Sequence, residues 1–195
     1  ATLIHDDIVD EADIRRGWPS INRIWKSKIA VLIGDYLFSN ALSKMCDIDN
    51  WDALKVLSKT AKRLSRGEIM QVESAITKEL SEDSYYKMIN DKTSSLISAS
   101  TLIGAITATQ DKEKRDALFN YGEKLGTMFQ MKDDLLDITG LERVVGKPTM
   151  FDIKKNMLTL PLIHILSKHS NSDKQNILSR LKYLSKRSKK KKIKK

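Results

Sequence analysis

Apolar residues recur along the chain at the three- and four-residue spacing of helices. No segment alternates apolar and polar positions convincingly enough to read as a strand. The periodic stretches predict helices at about 1–13, 27–46, 51–77, 82–109, 112–140, 157–169 and 173–186. Gly17-Trp18-Pro19-Ser20 closes the first helix, and Asp47-Ile48-Asp49-Asn50 separates the second from the third. Ser81 followed by Glu82 and Asp83 opens the fourth with a cap and two acids, which suits the helix dipole. Leu141 to Asp152, with Gly146-Lys147-Pro148, reads as a loop. The stretch Ile97 to Ala108 is apolar on more than one face and belongs in the middle of a bundle. The fold class is therefore all-α.

Composition changes this picture little. Hydrophobic residues are 41% of the 195, the range of a soluble globular domain. The net charge of +10 sits mostly in residues 186–195, where KRSKKKKIKK carries eight bases and no acid. The body holds 27 bases against 25 acids, so it is near neutral. Residues 1–185 form the domain, and 186–195 are expected to be a solvated, disordered tail. Such a tail could reach an anionic membrane surface peripherally, while nucleic acid is not expected as a partner. The single cysteine, Cys46, excludes an internal disulfide and is expected to pack as a small apolar group. No run of residues is long and apolar enough to span a membrane. A cytoplasmic or mitochondrial protein is expected rather than a secreted one. The chain opens at Ala1 in what reads as mid-helix, so its native start is expected upstream.

Two segments carry chemistry: Leu3-Ile4-His5-Asp6-Asp7-Ile8-Val9-Asp10 and Phe129-Gln130-Met131-Lys132-Asp133-Asp134-Leu135-Leu136-Asp137. Each contains D-D-x-x-D. On a helix the three carboxylates share one broad face, where they repel one another. A cation between them offsets that cost, and carboxylates without His or Cys select hard cations such as Mg²⁺. A solvated acidic patch would explain one such cluster. Two, each flanked by apolar residues, point instead to a diphosphate held between metal ions. Arg15-Arg16-Gly17, Lys92-Thr93 and Lys147 offer phosphate-binding cations, though singly each also reads as a surface charge.

These blocks resemble the trans-isoprenyl diphosphate synthases, the polyprenyl synthetase family. LIHDDIVDEADIRRGWPS resembles the first aspartate-rich motif with its trailing Arg-Arg-Gly, and FQMKDDLLDITG the second. AVLIGDYLFSNAL, SRGEIMQVE, DKTSSLISAS and GKPTMFDIKKNMLTLPLI are similar to family blocks in the same order. The likeness covers about residues 1–165. It implies an isoprenoid-synthase-like helical bundle with a central cavity, here without the family's N-terminal helices. It implies Mg²⁺ held by Asp6, Asp7 and Asp10 on one side and Asp133 and Asp134 on the other, with Asp137 in support. Arg15, Lys92 and Lys147 would bind the allylic diphosphate and Arg16 the isopentenyl diphosphate. Thr93 and Gln130 would line the path of an allylic carbocation. Short-chain members carry bulky aromatics one turn before the first motif. Ala1 and Thr2 stand there in this chain, so a long, octaprenyl-like product of the kind used for ubiquinone side chains is implied. The family's Gly-Lys before Thr-Leu-Pro is Asn156-Met157 here, and its loop Gly-Gly pair is Met150-Phe151. The rival from another class is a non-catalytic or truncated subunit of a hetero-oligomeric synthase. A terpene cyclase fits less well, because its second metal motif uses Asn, Ser and Glu. A homodimer or heteromer is expected, with the small apolar face of residues 29–42 as its contact.

Overall fold

The computed structural model describes residues 1–77, 81–140, 151–155 and 157–192. The chain divides into two compact units, Ala1–Lys55 and Val56–Lys195.

In the first unit, α1 (Thr2–Val9) is shorter than the expected 1–13. Glu11 takes φ 49°, a left-handed conformation that ends the helix. The Ala12 carbonyl, beyond the helix, accepts from Ser20 Oγ at 2.5 Å and Asn22 Nδ2 at 3.2 Å. Strands β1 (Ile14–Arg15) and β2 (Trp18–Pro19) pair antiparallel. Arg16 and Gly17 between them have φ 51° and 84°. Two successive positive φ values make the type I′ turn, whose twist matches that of the strands. The segment expected only to close a helix is thus a hairpin, too short for alternation to reveal.

Helix α2 (Ile21–Asp47) is interrupted at Lys26, where φ is 67° and ψ 160°. The expected start near 27 marks the second piece, and the first turn after Ser20 was not foreseen. Gly34 lies against His5 of α1: a Cβ there would fall 2.2 Å from the ring Nε2. The same nitrogen faces the Val31 carbonyl at 3.2 Å and Asp35 Oδ1 at 3.3 Å. Cys46 is exposed, not packed as expected. It lies in the last turn of α2.

Helix α3 (Trp51–Thr77) runs on into the second unit. There the expected helix over 82–109 is three pieces in line: α4 (Glu82–Ile89), a π-helical turn (Asn90–Ser94) and α5 (Ser95–Ala108). The Ser81 hydroxyl caps α4 by accepting from the Ser84 amide at 3.1 Å. Asp111 caps α6 (Lys112–Thr139) through the amides of Glu113 and Lys114. Helices α5 and α6 run antiparallel, since Ser94 meets Gly126, Ser98 meets Gly122, and Thr101 Oγ1 bonds the Leu118 carbonyl. A Cβ on either glycine would come within 2.5 Å of the facing helix, so the absent side chain sets the separation.

The core of this unit is Tyr85, Met88 and Ile89 of α4 with Ile153, Leu158, Leu162, Ile163 and Leu166. The latter come from α7 (Phe151–Lys154), α8 (Leu160–Ser167) and the link between them. Helix α9 (Asn171–Lys192) packs Ile177, Leu178 and Leu181 against it. Helix α9 is described as far as Lys192, in keeping with Lys and Arg as good helix formers and with no Gly or Pro along it. Among the described residues no helix is long and apolar enough to cross a membrane.

Candidate active site

Each unit carries one aspartate cluster. On α1, Asp6 is half-buried and Asp7 buried, and Asp10, the residue that caps its C-terminus, is half-buried. Asp7 Oδ1 accepts from Arg15 Nε at 2.6 Å, so the hairpin folds its first arginine back on the cluster. Arg16, at the tip of the turn, is exposed. Ala1 is the N-cap of α1 and exposed, and Thr2, its first residue, is half-buried.

On α6, Asp133 is exposed and Asp134 buried at 5%. Both oxygens of Asp134 are engaged: Tyr85 Oη donates to Oδ2 at 2.6 Å, and Gln130 Nε2 donates to Oδ1 at 2.7 Å. Gln130 Oε1 in turn accepts from Thr93 Oγ1 at 2.7 Å. A chain of hydrogen bonds therefore runs Thr93–Gln130–Asp134–Tyr85. Burial pushes the Asp134 carboxyl above its ordinary range, aided by the charges of Asp133 and Asp137 and opposed by the bonds from Tyr85 and Gln130. Burial, then the Asp134 bond, raise the Tyr85 phenol well above its usual value, so it stays a donor. Asp137 Oδ2 accepts from the Asp152 amide at 3.2 Å, tying the start of α7 to the cluster.

Lys92 and Thr93 stand inside the π turn. Lys92 Nζ pairs with Glu68 Oε1 of α3 at 2.7 Å. The turn lies against α3 so closely that a Cβ at Gly67 would be 2.4 Å from the Lys92 amide nitrogen. Gln71, one turn further, donates to Met157 Sδ at 3.1 Å. Lys147 and Asn156 lie outside the described residues.

Of the expected site residues in the second unit, hydrogen bonds join Thr93, Gln130 and Asp134, while Lys92 pairs with Glu68 and Asp137 with the Asp152 amide. Sequence reading misses Tyr85 and Arg63. A tyrosine on the apolar face shared with Met88 and Ile89 is a signal for the first, since a buried phenol requires an acceptor. Arg63 has no local signal, because its partners lie 28 and 60 residues away. The donor set at both clusters is carboxylate oxygen alone, which fits a hard divalent cation. Among the described residues no three His, Cys, Asp or Glu side chains converge as a ready-made metal cage.

The whole chain, residues 1–195, matches the family model for polyprenyl synthetase. It is 39% identical over 167 residues to heptaprenyl diphosphate synthase component 2 of Geobacillus stearothermophilus, covering 86% of this chain and 52% of that protein. The crystal structure of geranylgeranyl pyrophosphate synthetase from Pyrococcus horikoshii superposes with a TM-score of 0.85 at 34% identity, over 91% of this chain and 56% of that one. The polyprenyl synthase of Caulobacter crescentus, crystallised with calcium and isoprenyl diphosphate, gives 0.80 at 31% identity, over 94% and 61%. The chain spans about half the length of the curated relatives it matches.

Proposed function

The chain belongs to the polyprenyl synthetase family, and on that premise we propose that it carries the catalytic face of a trans-polyprenyl diphosphate synthase. The reaction joins an allylic diphosphate to isopentenyl diphosphate and releases diphosphate. The observation that carries the reading is the Thr93–Gln130–Asp134–Tyr85 chain beside Lys92, with a second aspartate cluster on α1. Asp6, Asp7, Asp10, Asp133 and Asp134 would hold Mg²⁺, and Asp137 would support them. When bound, the metal supplies Lewis-acid stabilisation of the leaving diphosphate.

The protein's own residues do the rest. Asp133 offers the more accessible carboxylate of the second cluster, while Asp134 holds Gln130 in place. Arg15, Lys92 and Lys147 bind the allylic diphosphate through cationic donors, and Arg16 binds the isopentenyl diphosphate. Thr93 spends its proton on Gln130, so its oxygen keeps lone pairs for the developing allylic cation. Ala1 and Thr2, small residues one turn ahead of Asp6, favour a long, octaprenyl-like product. A partner helix would cover residues 29–42, where Leu32 and Tyr36 are exposed. A second reading, a subunit of a two-component synthase, is favoured by the likeness to a protein named as component 2.

The test is incubation with an allylic diphosphate, isotopically labelled isopentenyl diphosphate and Mg²⁺, with lipids resolved by chain length. Labelled prenyl chains that vanish in Asp6→Ala and Asp133→Ala are expected. Label that never enters the lipid fraction, with or without a partner component, refutes the enzyme. Product formed only when the partner is added favours the second reading.

A further inference from the structure

Resting on that reading, we infer that Arg63 is a positioning residue for the reaction: it holds the π turn open and so sets where Lys92 and Thr93 stand. Arg63 projects from α3, half-buried at 25%. Its Nε donates to Asp91 Oδ1 at 3.0 Å, Nη1 to Glu123 Oε1 at 2.7 Å, and Nη2 to Glu123 Oε2 at 3.1 Å and to the Asn90 carbonyl at 3.0 Å. One planar guanidinium thus joins α3, α6 and the first two residues of the turn, a geometry that a lysine ammonium cannot reproduce.

The Asn90 carbonyl is the one that defines the turn, since it also accepts from the Ser95 amide five residues on. In a regular helix that carbonyl would bond Ser94. π turns are rare and need outside support, and they mark functional positions. The support here is dense. Thr127 Oγ1 donates to Asn90 Oδ1 at 2.7 Å, and Ser98 Oγ donates to Glu123 Oε1 at 2.6 Å, which steers that carboxylate onto Arg63. Asp91, buried at 3%, has its other oxygen on Arg66 Nε at 2.5 Å. Two cations and two carboxylates balance in charge. Burial offsets part of the attraction among such groups, and the network selects one geometry. What it selects is the conformation of the two residues that follow Asp91.

Arg66 shares Asp91 but bonds neither the Asn90 carbonyl nor Glu123, and it is half exposed. It separates positioning from mere loss of charge. The experiment measures the dissociation constant of a non-ionising allylic thiolodiphosphate with Mg²⁺ by calorimetry. It adds KM for isopentenyl diphosphate and kcat, on the full chain and on Arg63→Met, Arg63→Lys and Arg66→Met. Circular dichroism confirms folding. Arg63→Met is expected to weaken the analogue about ten- to hundredfold, the range seen when a supporting partner of a site residue is removed. KM for isopentenyl diphosphate stays within about twofold, because the π turn is not assigned to that substrate, and Arg63→Lys does not restore binding. Arg66→Met stays within about threefold. Should Arg63→Met not fold, Glu123→Gln takes its place, with the same direction and a smaller loss. A folded Arg63→Met or Glu123→Gln that binds as tightly as the parent overturns the inference, as does an equal loss in Arg66→Met. A parent chain that does not bind the analogue overturns the functional reading, and the inference with it.

Discussion

Gly67 is the point at which α3 touches the π turn, and filling it tests the geometry of the site directly. In Gly67→Ala the new methyl would lie 2.4 Å from the Lys92 amide nitrogen and 2.8 Å from its Cα, where ordinary contact begins at 3.4 Å. A displacement of 1.0 Å has to be found. Both sides are helical backbone, so no flexible side chain can yield. Overpacking of this kind costs about 1–3 kcal/mol. Against it stands the gain of about 1 kcal/mol from replacing glycine in a helix interior. The upper part of the overpacking range applies to a backbone contact, which leaves a net loss of about 1–2 kcal/mol. For a chain of this size that lowers Tm by roughly 2–8 °C. The larger effect is expected on function, because a shift near 1 Å at the residues proposed to bind and stabilise the substrate costs about a hundredfold. Gly104→Ala is the control: nothing lies within 4 Å of its Cβ, so it should gain about 0.5–1 kcal/mol. Thermal unfolding and binding of the allylic analogue are measured on both. A Gly67→Ala protein as stable as the parent, with unchanged binding, would show that α3 and the turn do not meet as described.

Three further outcomes are expected. Tyr85→Phe removes the buried donor to Asp134 and should cost about 1–2 kcal/mol in urea unfolding, whereas an unchanged midpoint would mean that Asp134 finds another donor. Although burial alone raises Asp91, hydrogen bonds from Arg66 and Arg63 outweigh it and hold its carboxyl below the usual range. Its contribution is therefore present above an ordinary aspartate pKa of about 4 and is lost as pH falls through the lowered value; Asp91→Asn should flatten that acid limb, and an identical slope counts against the pairing. Arg16→Gly relieves a left-handed φ and should stabilise the chain by about 0.5–1 kcal/mol while raising KM for isopentenyl diphosphate; a less stable variant would contradict the turn assignment.

What could be read in the sequence was whatever is periodic or local. The long helices were legible because their apolar spacing persists for many turns, and the start of α4 because Ser81 is a cap with a local partner. The carboxylates and Lys92-Thr93 were legible as patterns a few residues long. The hairpin at 14–19 was not, since two residues per strand carry no alternation. The π turn was not, since a bond from residue i+5 leaves no mark on composition. Tyr85 meets Asp134 from 49 positions away and Arg63 meets Glu123 from 60, and tertiary packing alone brings such pairs together.

The π turn is an indel written into a rod. One residue more than a regular turn requires sits between α4 and α5, so the two helices share an axis but not a phase. Deleting one residue from Asn90–Ser94 would draw α4 in by about 1.5 Å and rotate it by about 100°. Tyr85 would swing away from Asp134, and a solvent-facing neighbour would turn toward the core. The apolar rows of α4 and α5 are each regular, and they mesh with their separate partners only because the extra residue keeps them out of step. An alignment of this chain with a straight-helix protein therefore needs a one-residue gap between Ile89 and Ser95. Without it, every upstream position of α4 is assigned to the wrong face.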